Sequence, residues 1–397
     1  MILHDHNQAH LTYCLNIHPS DTWDEVFKSI RTSAMAVRDR VCSDRPFGLG
    51  LRLSYDAAVS LQEPDNLKTF QAFLQEQNAY VFTINGFPYG GFHQDNLKEK
   101  VYQPDWRTAA RRDYTVLLCD LLAELLPDGQ IGSISTVPCS FKAWIIRPSD
   151  ADKMVERLVD CVAHCLSLEE RTGKTITLGL EPEPSCYLET CKEVVTFYQD
   201  KILQRGIPFL ARRRGLSPER AEQVIRQHLG VCLDTCHTAI QYESLCDSMR
   251  AYDAAGIPVT KVQLSAALEV YNDQSQLDAL RAFVEPVYLH QVKAMTRMGT
   301  LRSWNDLPDA LRDVKPKGEV EKLRIHFHVP LFWDGDHLLE STSKLVSKAF
   351  LDQACTTCTR HLEIETYTFD VLPEALKSGD VVDSIVKEYN WALKQLG

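Results

Sequence analysis

Acidic, amide and imidazole side chains stand where several strand-like segments of this sequence end. Asp234 and His237 lie three residues apart, directly after a short apolar run, so a strand that ends there turns both side chains toward one metal ion. Glu181, Gln263 and Glu365 stand at the ends of other such segments. Oxygen ligands with one or two imidazoles suit a divalent cation such as Mn²⁺, Mg²⁺, Co²⁺ or Zn²⁺. These residue types indicate a site for one divalent ion, provided that the fold brings them together.

The elements that must position these residues follow a repeating pattern. Short strand-like stretches alternate with helix-like stretches, which predicts a parallel sheet covered by helices. Eight such units favour an α/β fold of the closed (β/α)8 TIM-barrel type, and no repeat or linker divides the chain, so we expect residues 1–397 to form a single domain. The predicted strands cover 10–18, 48–54, 80–87, 132–138, 175–183, 229–236, 259–266 and 361–368. Predicted helices include 21–41, 108–126 and 151–171.

Side-chain alternation along the predicted strands separates an apolar row from a small and polar row. In the fifth strand Ile176, Leu178 and Leu180 face one way, whereas Thr177 and Glu181 face the other. In a barrel wrapped by helices the apolar row packs outward, so the polar row must line the interior and its last members converge at the C-terminal mouth. An antiparallel sheet with one solvated face has the same alternation, but the intervening helices favour the barrel.

Two connections are longer than a simple barrel needs. One covers about 205–228, before the sixth strand, and the other covers about 285–350, between the seventh and eighth strands. The second contains a strand-like stretch of its own in which Arg324, His326 and His328 share one face. Two imidazoles on one face beside an acidic site indicate that at least one is a metal ligand, and the pattern leaves open which one.

Neighbouring carboxylates compete for the ligand positions. Glu183 shares the face of Glu181 and is the alternative ligand there. Glu363 lies one pleat deeper than Glu365, where an unpaired carboxylate is costly, so we expect it to support the site by meeting a cation. The cations available on the polar row are Arg52 and Lys261.

Other polar and aromatic residues are expected around the same mouth. The candidates for contact with a substrate are Asn16, His18, Asn85, His93, His237, His290 and Arg324. Aromatic residues of the surrounding loops could line a ligand pocket. They are Phe82, Phe87, Tyr89, Phe92, Trp106, Phe141 and Trp304.

The composition narrows the class of protein. A formal charge of −11 disfavours a nucleic-acid partner. No apolar stretch approaches the roughly 18 residues of a membrane helix, and the first residues do not resemble a signal peptide. Thirteen cysteines scattered through the predicted elements indicate reduced thiols rather than a disulfide framework. We therefore expect a cytoplasmic protein with a small-molecule partner.

With these residues in view, the chain resembles the xylose isomerase-like TIM-barrel superfamily, which includes sugar isomerases, sugar epimerases and DNA repair enzymes of the endonuclease IV type. The resemblance rests on Glu181, on the motif Asp234-Thr235-Cys236-His237, on the seventh strand and on Glu365-Thr366. It implies that the positions of Glu181, Asp234, Gln263 and Glu365 hold one divalent ion, with His237 and a late histidine beside it. More narrowly, His326-Phe327-His328-Val329-Pro330 and residues 361–368 look like the EboE branch of metabolite traffic proteins, which implies a role with other ebo-operon proteins in secondary metabolism.

Three functions are compatible with these residues. The first is a metal-dependent isomerase or epimerase of a sugar-like or polyhydroxy-carbonyl metabolite, in which Glu181 and Glu365 move a proton. The second is metal-assisted hydrolysis of a phosphate ester, as in the endonuclease IV type; the acidic charge and Gln263, where many members have histidine, count against it. The third is a barrel that binds or hands over a metabolite without transforming it.

Overall fold

The structure is a computed structural model that describes residues 1–92, 97–373, 377 and 379–397. Its strands are β1 (Ile2–Leu3), β2 (Ala9–Tyr13), β3 (Phe47–Arg52), β4 (Ala79–Asn85), β5 (Ile131–Thr136), β6 (Thr175–Leu180), β7 (Leu229–Asp234), β8 (Val259–Leu264), β9 (Ala266–Tyr271), β10 (Val292–Thr296), β11 (Leu301–Trp304), β12 (Val320–Val329), β13 (Glu340–Ser341) and β14 (His361–Ile364).

The helices fill the connections between the strands. They are α1 (Trp23–Ser29), α2 (Met35–Val41), α3 (Tyr55–Gln62), α4 (Pro64–Glu76), α5 (Ala109–Leu125), α6 (Pro148–Thr172), α7 (Cys191–Phe197), α8 (Ile207–Arg214), α9 (Pro218–His228), α10 (Thr235–Ile240), α11 (Leu245–Ala254), α12 (Gln274–Ala279), α13 (Leu307–Asp313), α14 (Lys348–Gln353) and α15 (Val381–Leu396). Stretches of π-helix join α1 to α2 and α7 to α8, at Ile30–Ala34 and Tyr198–Gly206. Within the described residues, no helix combines the length and the apolar character needed to cross a membrane.

Eight parallel strands form the barrel. The nine-stranded sheet has the order β1-β2-β14-β8-β7-β6-β5-β4-β3, and every pair in it is parallel except β1 with β2. A parallel bridge between Cys14 and Gly50 joins β2 toward β3 and nearly closes the ring. The predicted TIM barrel is confirmed, and all eight predicted barrel strands belong to it. That the whole chain forms one domain stays a prediction.

The polar row lines the barrel interior, as the alternation predicts. Thr12 donates its hydroxyl to the Gly48 carbonyl on the next strand at 2.8 Å, across the interior side of the sheet. A Cβ atom at Gly50 would lie 2.2 Å from Oε1 of Glu363 and 2.8 Å from the Tyr13 carbonyl. Residue 50 must therefore be glycine for a carboxylate of β14 to fit inside the barrel.

The first barrel strand is shorter than predicted. The prediction extended it to residue 18, whereas β2 ends at Tyr13 and a 3-10 turn covers Leu15–Ile17. The Cys14 amide still donates to the Ile364 carbonyl at 2.8 Å, but the His18 amide instead donates to the Leu15 carbonyl at 3.1 Å. The chain therefore leaves the sheet before Asn16 and His18, which lie on the loop and not on the strand.

The insertion after the seventh barrel strand is a second sheet. Its five antiparallel strands have the order β11-β10-β12-β9-β13, with β12 near the centre. The strand-like stretch predicted to carry Arg324, His326 and His328 is confirmed as β12, but the predicted insertion at 285–350 begins too late. Ser265 separates β8 from β9, so the strand predicted at 259–266 is two strands in succession. The other predicted insertion, at 205–228, consists mostly of α8 and α9.

Candidate metal centre

Three carboxylates from three barrel strands meet at the C-terminal mouth. Asp234 is the last residue of β7, and Glu181 and Glu365 come directly after β6 and β14. One oxygen of each lies within 4.8 Å of the others, and all three residues are buried. We call Glu181, Asp234 and Glu365 the carboxylate cluster. The strand-end rule brings them together although they are far apart in sequence.

The carboxylate cluster has an excess of negative charge that the Lys261 ammonium only partly offsets. Oε2 of Glu181 and Oδ2 of Asp234 are buried without a hydrogen-bond partner among the described residues. Burial, followed by the negative charge of its neighbours, raises the pKa of Glu181 and of Glu365 well above the usual range. Buried carboxylates with unpaired oxygens are stabilised by a cation that they coordinate. The donor set therefore fits a divalent ion.

Local hydrogen bonds orient two of the carboxylates. Oδ1 of Asp234 accepts the His237 amide at 2.9 Å, as the N-cap of α10, and the Ser265 hydroxyl at 2.7 Å. Oε1 of Glu365 accepts amide protons from Asn16 and Asn85, each at 2.8 Å. In each case one oxygen is held by the protein while the other is left for a ligand.

Three imidazoles form a second group beside the carboxylates. Nε2 of His326 lies 3.0 Å from Nε2 of His237 and 3.3 Å from Nε2 of His328. Burial lowers the pKa of all three rings, so they are neutral at neutral pH. We call His237, His326 and His328 the imidazole cluster.

The other nitrogen of each ring in the imidazole cluster faces an oxygen acceptor. Nδ1 of His237 is 3.1 Å from the Pro182 carbonyl, that of His328 is 2.8 Å from the Glu365 carbonyl, and that of His326 is 2.6 Å from Oε1 of Gln291. These contacts favour a proton on Nδ1 and leave the three Nε2 lone pairs converging. Tetrahedral ligands at the usual Zn–N distance are roughly 3.3 Å apart. The imidazole cluster therefore also fits a cation.

The two clusters overlap. Asp234 can be grouped with His237 and His328 as well as with the two glutamates, and Cys236 with His326 and His328. The α10 helix begins at Thr235, which holds Asp234, Cys236 and His237 within one turn of one another. The carboxylate cluster and the imidazole cluster are therefore adjacent and share potential ligands.

The structure distinguishes Glu181 from Glu183. Glu183 can be grouped with His237 and His326 instead of with the carboxylate cluster. Its Oε1 accepts the phenol proton of Tyr102 at 2.6 Å, and burial raises its pKa to about 8. The Glu181 side chain, in contrast, keeps one oxygen unpaired and faces Asp234 and Glu365. Both carboxylates line the central cavity.

Gln263 and Glu363 lie on the interior side of the site. Oε1 of Gln263 accepts the Cys232 thiol at 3.1 Å, while its Nε2 is without a partner among the described residues. Glu363 forms a fully buried ion pair with Lys261 at 2.7 Å, as expected of a carboxylate one pleat below the mouth. Arg52, the other cation considered, instead donates to carbonyls in two loops.

Two residues expected to contact substrate do not line the cavity. Nε2 of His18 lies 2.9 Å from the Tyr13 hydroxyl. Arg324 is held by Glu269, at 2.6 Å, and donates to the Ala239 carbonyl of α10, also at 2.6 Å. The Arg324 guanidinium therefore connects the inserted sheet to α10, the helix that carries His237.

His290 lies behind the imidazole cluster. Its Nδ1 is 2.8 Å from the His326 carbonyl and its Nε2 is 2.6 Å from a Glu285 oxygen, so it holds the backbone of β12. It does not line the cavity either. His93, a further candidate, lies outside the described residues. Asn16, Asn85 and His237, in contrast, are all on the cavity wall.

The cavity opens above the two clusters and contains about 520 Å³ of space not filled by atoms. Its inner end carries Glu181, Glu183 and Glu365. Tyr102 and Gln291, which hold Glu183 and His326, had no sequence signal of their own because they come from loops that meet only in the folded chain. This space includes solvent at the open mouth of the cavity.

Comparison with solved structures identifies the fold. A xylose isomerase-like TIM barrel protein from Mycobacterium smegmatis, in complex with magnesium, aligns with a TM-score of 0.51 and 10% identity over 98% of this chain and 96% of that chain. The chain has the fold of the xylose isomerase-like TIM barrels. The IOLI protein with a bound zinc atom aligns at 0.48 with 11% identity (98% and 99% covered), and the 3-keto-D-glucoside 4-epimerase YcjR from E. coli at 0.44 with 12% (97% and 99%).

The sequence comparisons do not assign the chain to a family within this fold. No family model and no curated protein matches the chain. The resemblance to the superfamily is confirmed at the level of the fold, while the likeness to the EboE branch stays a prediction.

Proposed function

We propose that the protein is a divalent-metal-dependent isomerase or epimerase of a sugar-like or other polyhydroxy-carbonyl metabolite. The observation that carries this proposal is the carboxylate cluster, with its unpaired oxygens, at the inner end of a cavity. Two of its members, Glu181 and Glu365, line that cavity and can reach a ligand. A site that combines a cation with two such carboxylates suits proton transfer next to a carbonyl.

The residues that would hold the ion are Glu181, Asp234 and Glu365. Gln263 would join them only through its Oε1, which accepts the Cys232 thiol at 3.1 Å. A divalent ion there would supply Lewis-acid polarisation of a carbonyl and of the hydroxyl beside it. Among the imidazoles, His237 lines the cavity and either completes the ligand set or donates to a substrate oxygen, while His326 and His328 extend the set.

Glu181 and Glu365 are the groups that would move the proton. They reach the cavity from strands separated by two others in the sheet, so one can take a proton from one side of a carbon and the other can return it. Asn16 and Asn85 hold Oε1 of Glu365, which leaves Oε2 for this task. Glu181 has its Oε2 without a partner in the described part of the chain.

Solvent exchange tests this proposal without knowledge of the substrate. The Mn²⁺-loaded protein would be incubated in deuterated water with a panel of neutral hydroxyketones, beginning with dihydroxyacetone, and exchange of the carbon-bound protons followed by NMR. We expect exchange that falls by at least about a hundredfold in Glu181→Gln and in Glu365→Gln, as is usual when a positioned acid or base is removed.

Glu76→Gln, on the exposed face of α4, is the matched control and should keep full activity. Thermal unfolding of each variant would verify that the barrel is intact. Full exchange in both cavity variants would end the proposal. A metabolite that binds but never exchanges would support a carrier, the role that the EboE likeness and its traffic label suggest for a cytoplasmic protein of an ebo operon.

The imidazole cluster favours one second candidate, the metal-assisted hydrolysis of a phosphate ester, because this chemistry uses two or more ions. The spacing of the three Nε2 atoms suits an ion beside the one held by the carboxylates. Metal analysis of the purified protein distinguishes the two functions. One ion per chain favours the isomerase, and two or three favour the hydrolase.

A further inference from the structure

The wall of the central cavity changes character from its inner end to its outer end. The inner end is formed by carboxylates, amides and imidazoles. The other described lining residues are mainly apolar and aromatic, among them Phe87, Phe92, Val101, Tyr288, Leu289 and Tyr367. The rings pack on one another, with Phe92 5.0 Å from Tyr367 and 5.4 Å from Tyr288 between ring centres. The wall is thus a continuous surface rather than scattered residues.

Such a wall does not suit a substrate that is polar at both ends. The Tyr102 hydroxyl, on the same wall, is already engaged, since it donates to Glu183 at 2.6 Å and accepts from Gln291 at 2.8 Å. Sugar hydroxyls placed against the ring faces or against Val101 and Leu289 would lose water without gaining partners, which is unfavourable. An apolar group at this position would instead be removed from water by apolar contacts.

The described lining residues also offer no free cation for a phosphate. Apart from imidazoles, Lys98 is the one basic side chain among the described lining residues. Its ammonium group already contacts three acceptors, the carbonyls of Tyr288 at 2.7 Å and Glu285 at 3.2 Å and a carboxylate oxygen of Asp306 at 2.8 Å. An ammonium has three protons to donate, so all are used.

The negative charge at the inner end further disfavours a phosphate group. Glu181 and Glu365 line the cavity and Asp234 lies against them, whereas Lys261 is paired with Glu363. A divalent ion offsets part of this negative charge. A phosphate dianion would restore the excess in a buried site, where repulsion is poorly screened.

We propose that the substrate joins a neutral hydroxycarbonyl head, bound at the carboxylate cluster, to an apolar substituent such as an aromatic ring, and that it carries no phosphate. This inference rests on the proposed function and specifies its substrate class. The head would lie at Glu181 and Glu365, and the substituent against the wall that includes Tyr288 and Leu289.

Three probes that share a hydroxyketone head test this substrate class. They are 2-hydroxyacetophenone, dihydroxyacetone and dihydroxyacetone phosphate, each titrated calorimetrically into the full-length Mn²⁺-loaded protein. We expect 2-hydroxyacetophenone to bind at least about tenfold more tightly than dihydroxyacetone, because its ring is buried on the apolar wall. The phosphate should bind more weakly than dihydroxyacetone. Equal affinities of the first two probes, or tightest binding of the phosphate, would overturn the proposal.

Leu289→Ser and Val101→Ser replace partly buried wall residues and should reduce the advantage of 2-hydroxyacetophenone while leaving dihydroxyacetone unchanged. The matched control is Leu216→Ser, a partly buried leucine that does not line this cavity. If neither wall variant that folds reduces the advantage, the wall does not bind the ring and the proposal fails. Titrations of the same probes into metal-free protein show whether a negative result contradicts the substrate class or the proposed function. Metal-dependent binding of dihydroxyacetone without a ring advantage contradicts the substrate class alone, whereas metal-independent binding of all three probes contradicts both.

Discussion

The carboxylate cluster and the imidazole cluster lie side by side but are supported by different parts of the fold. Each member of the carboxylate cluster stands at the end of a parallel barrel strand. Of the three imidazoles, only His237 belongs to the barrel, whereas His326 and His328 are on β12 of the inserted sheet. The barrel therefore supplies negative charge, and the insertion adds nitrogen ligands that favour a different class of metal ion.

Asp234 is the residue that joins the two clusters. It can share an ion with Glu181 and Glu365 or with His237 and His328. We therefore expect Asp234→Asn to have the largest effect of any single change. The amide keeps the Oδ1 atom that caps α10, so the fold is preserved, but it removes the charge that the ion requires.

Metal affinity should fall at least about a hundredfold in Asp234→Asn, since a lost ligand costs more than a lost supporting hydrogen bond. Mn²⁺ titration followed by electron paramagnetic resonance measures this affinity. Asp56→Asn, at an exposed position on α3, is the control. An unchanged affinity in Asp234→Asn would mean that the clusters do not share this ligand.

Substitutions within one cluster test whether the two clusters prefer different metal ions. His326→Gln and His328→Gln should weaken Zn²⁺ and Co²⁺ binding by about tenfold and Mg²⁺ binding much less, because imidazole suits the borderline cations. Glu365→Gln should weaken all of these ions. Competition titrations with each metal test this difference. Equal losses for Mg²⁺ and Zn²⁺ in the histidine variants would show that the two clusters act as one oxygen and nitrogen site.

The carboxylate cluster could be predicted from the sequence more fully than the imidazole cluster. Strands alternate and parallel strands end at one face, so Glu181, Asp234 and Glu365 could be brought together by counting residues. The same reasoning predicted that Glu363 would meet a cation, although it did not choose Lys261 over Arg52. These conclusions need only local periodicity and one rule of barrel architecture.

The inserted sheet could not be predicted in the same way. Alternation placed His326 and His328 on one face, but the pairing of β12 with β9 shifts register between Ile325 and His328. The distance from these rings to His237 depends on how the sheet packs against α10, which is long-range packing that no local pattern encodes. The contacts of Arg324 with Glu269 and Ala239 are part of that packing, so a residue expected to bind substrate instead connects two elements.

The last expected effect is on folding stability rather than on metal binding, and it concerns the support behind both clusters. Glu388 of α15 accepts the Leu331 amide at 3.0 Å and the Thr366 hydroxyl at 2.6 Å, and so holds the chain just beyond the histidines of β12 and beside Glu365. Burial raises the pKa of Glu388 from its ordinary value of 4.5 to about 7. Because the folded protein binds this proton more tightly than the unfolded chain, the stabilisation is complete below about pH 4.5 and is lost as the pH rises through about 7.

Glu388→Gln retains an oxygen that can accept both hydrogen bonds but removes the titration. Relative to this variant, the free energy of unfolding of the wild type should fall by up to about 3 kcal/mol between pH 4.5 and 8, since one pKa unit corresponds to about 1.4 kcal/mol. Urea unfolding of the two proteins across this range measures the difference and cancels the groups that both share. A difference that does not change with pH would mean that Glu388 stays ionised, and that the two clusters are supported by a charged carboxylate instead of a neutral one.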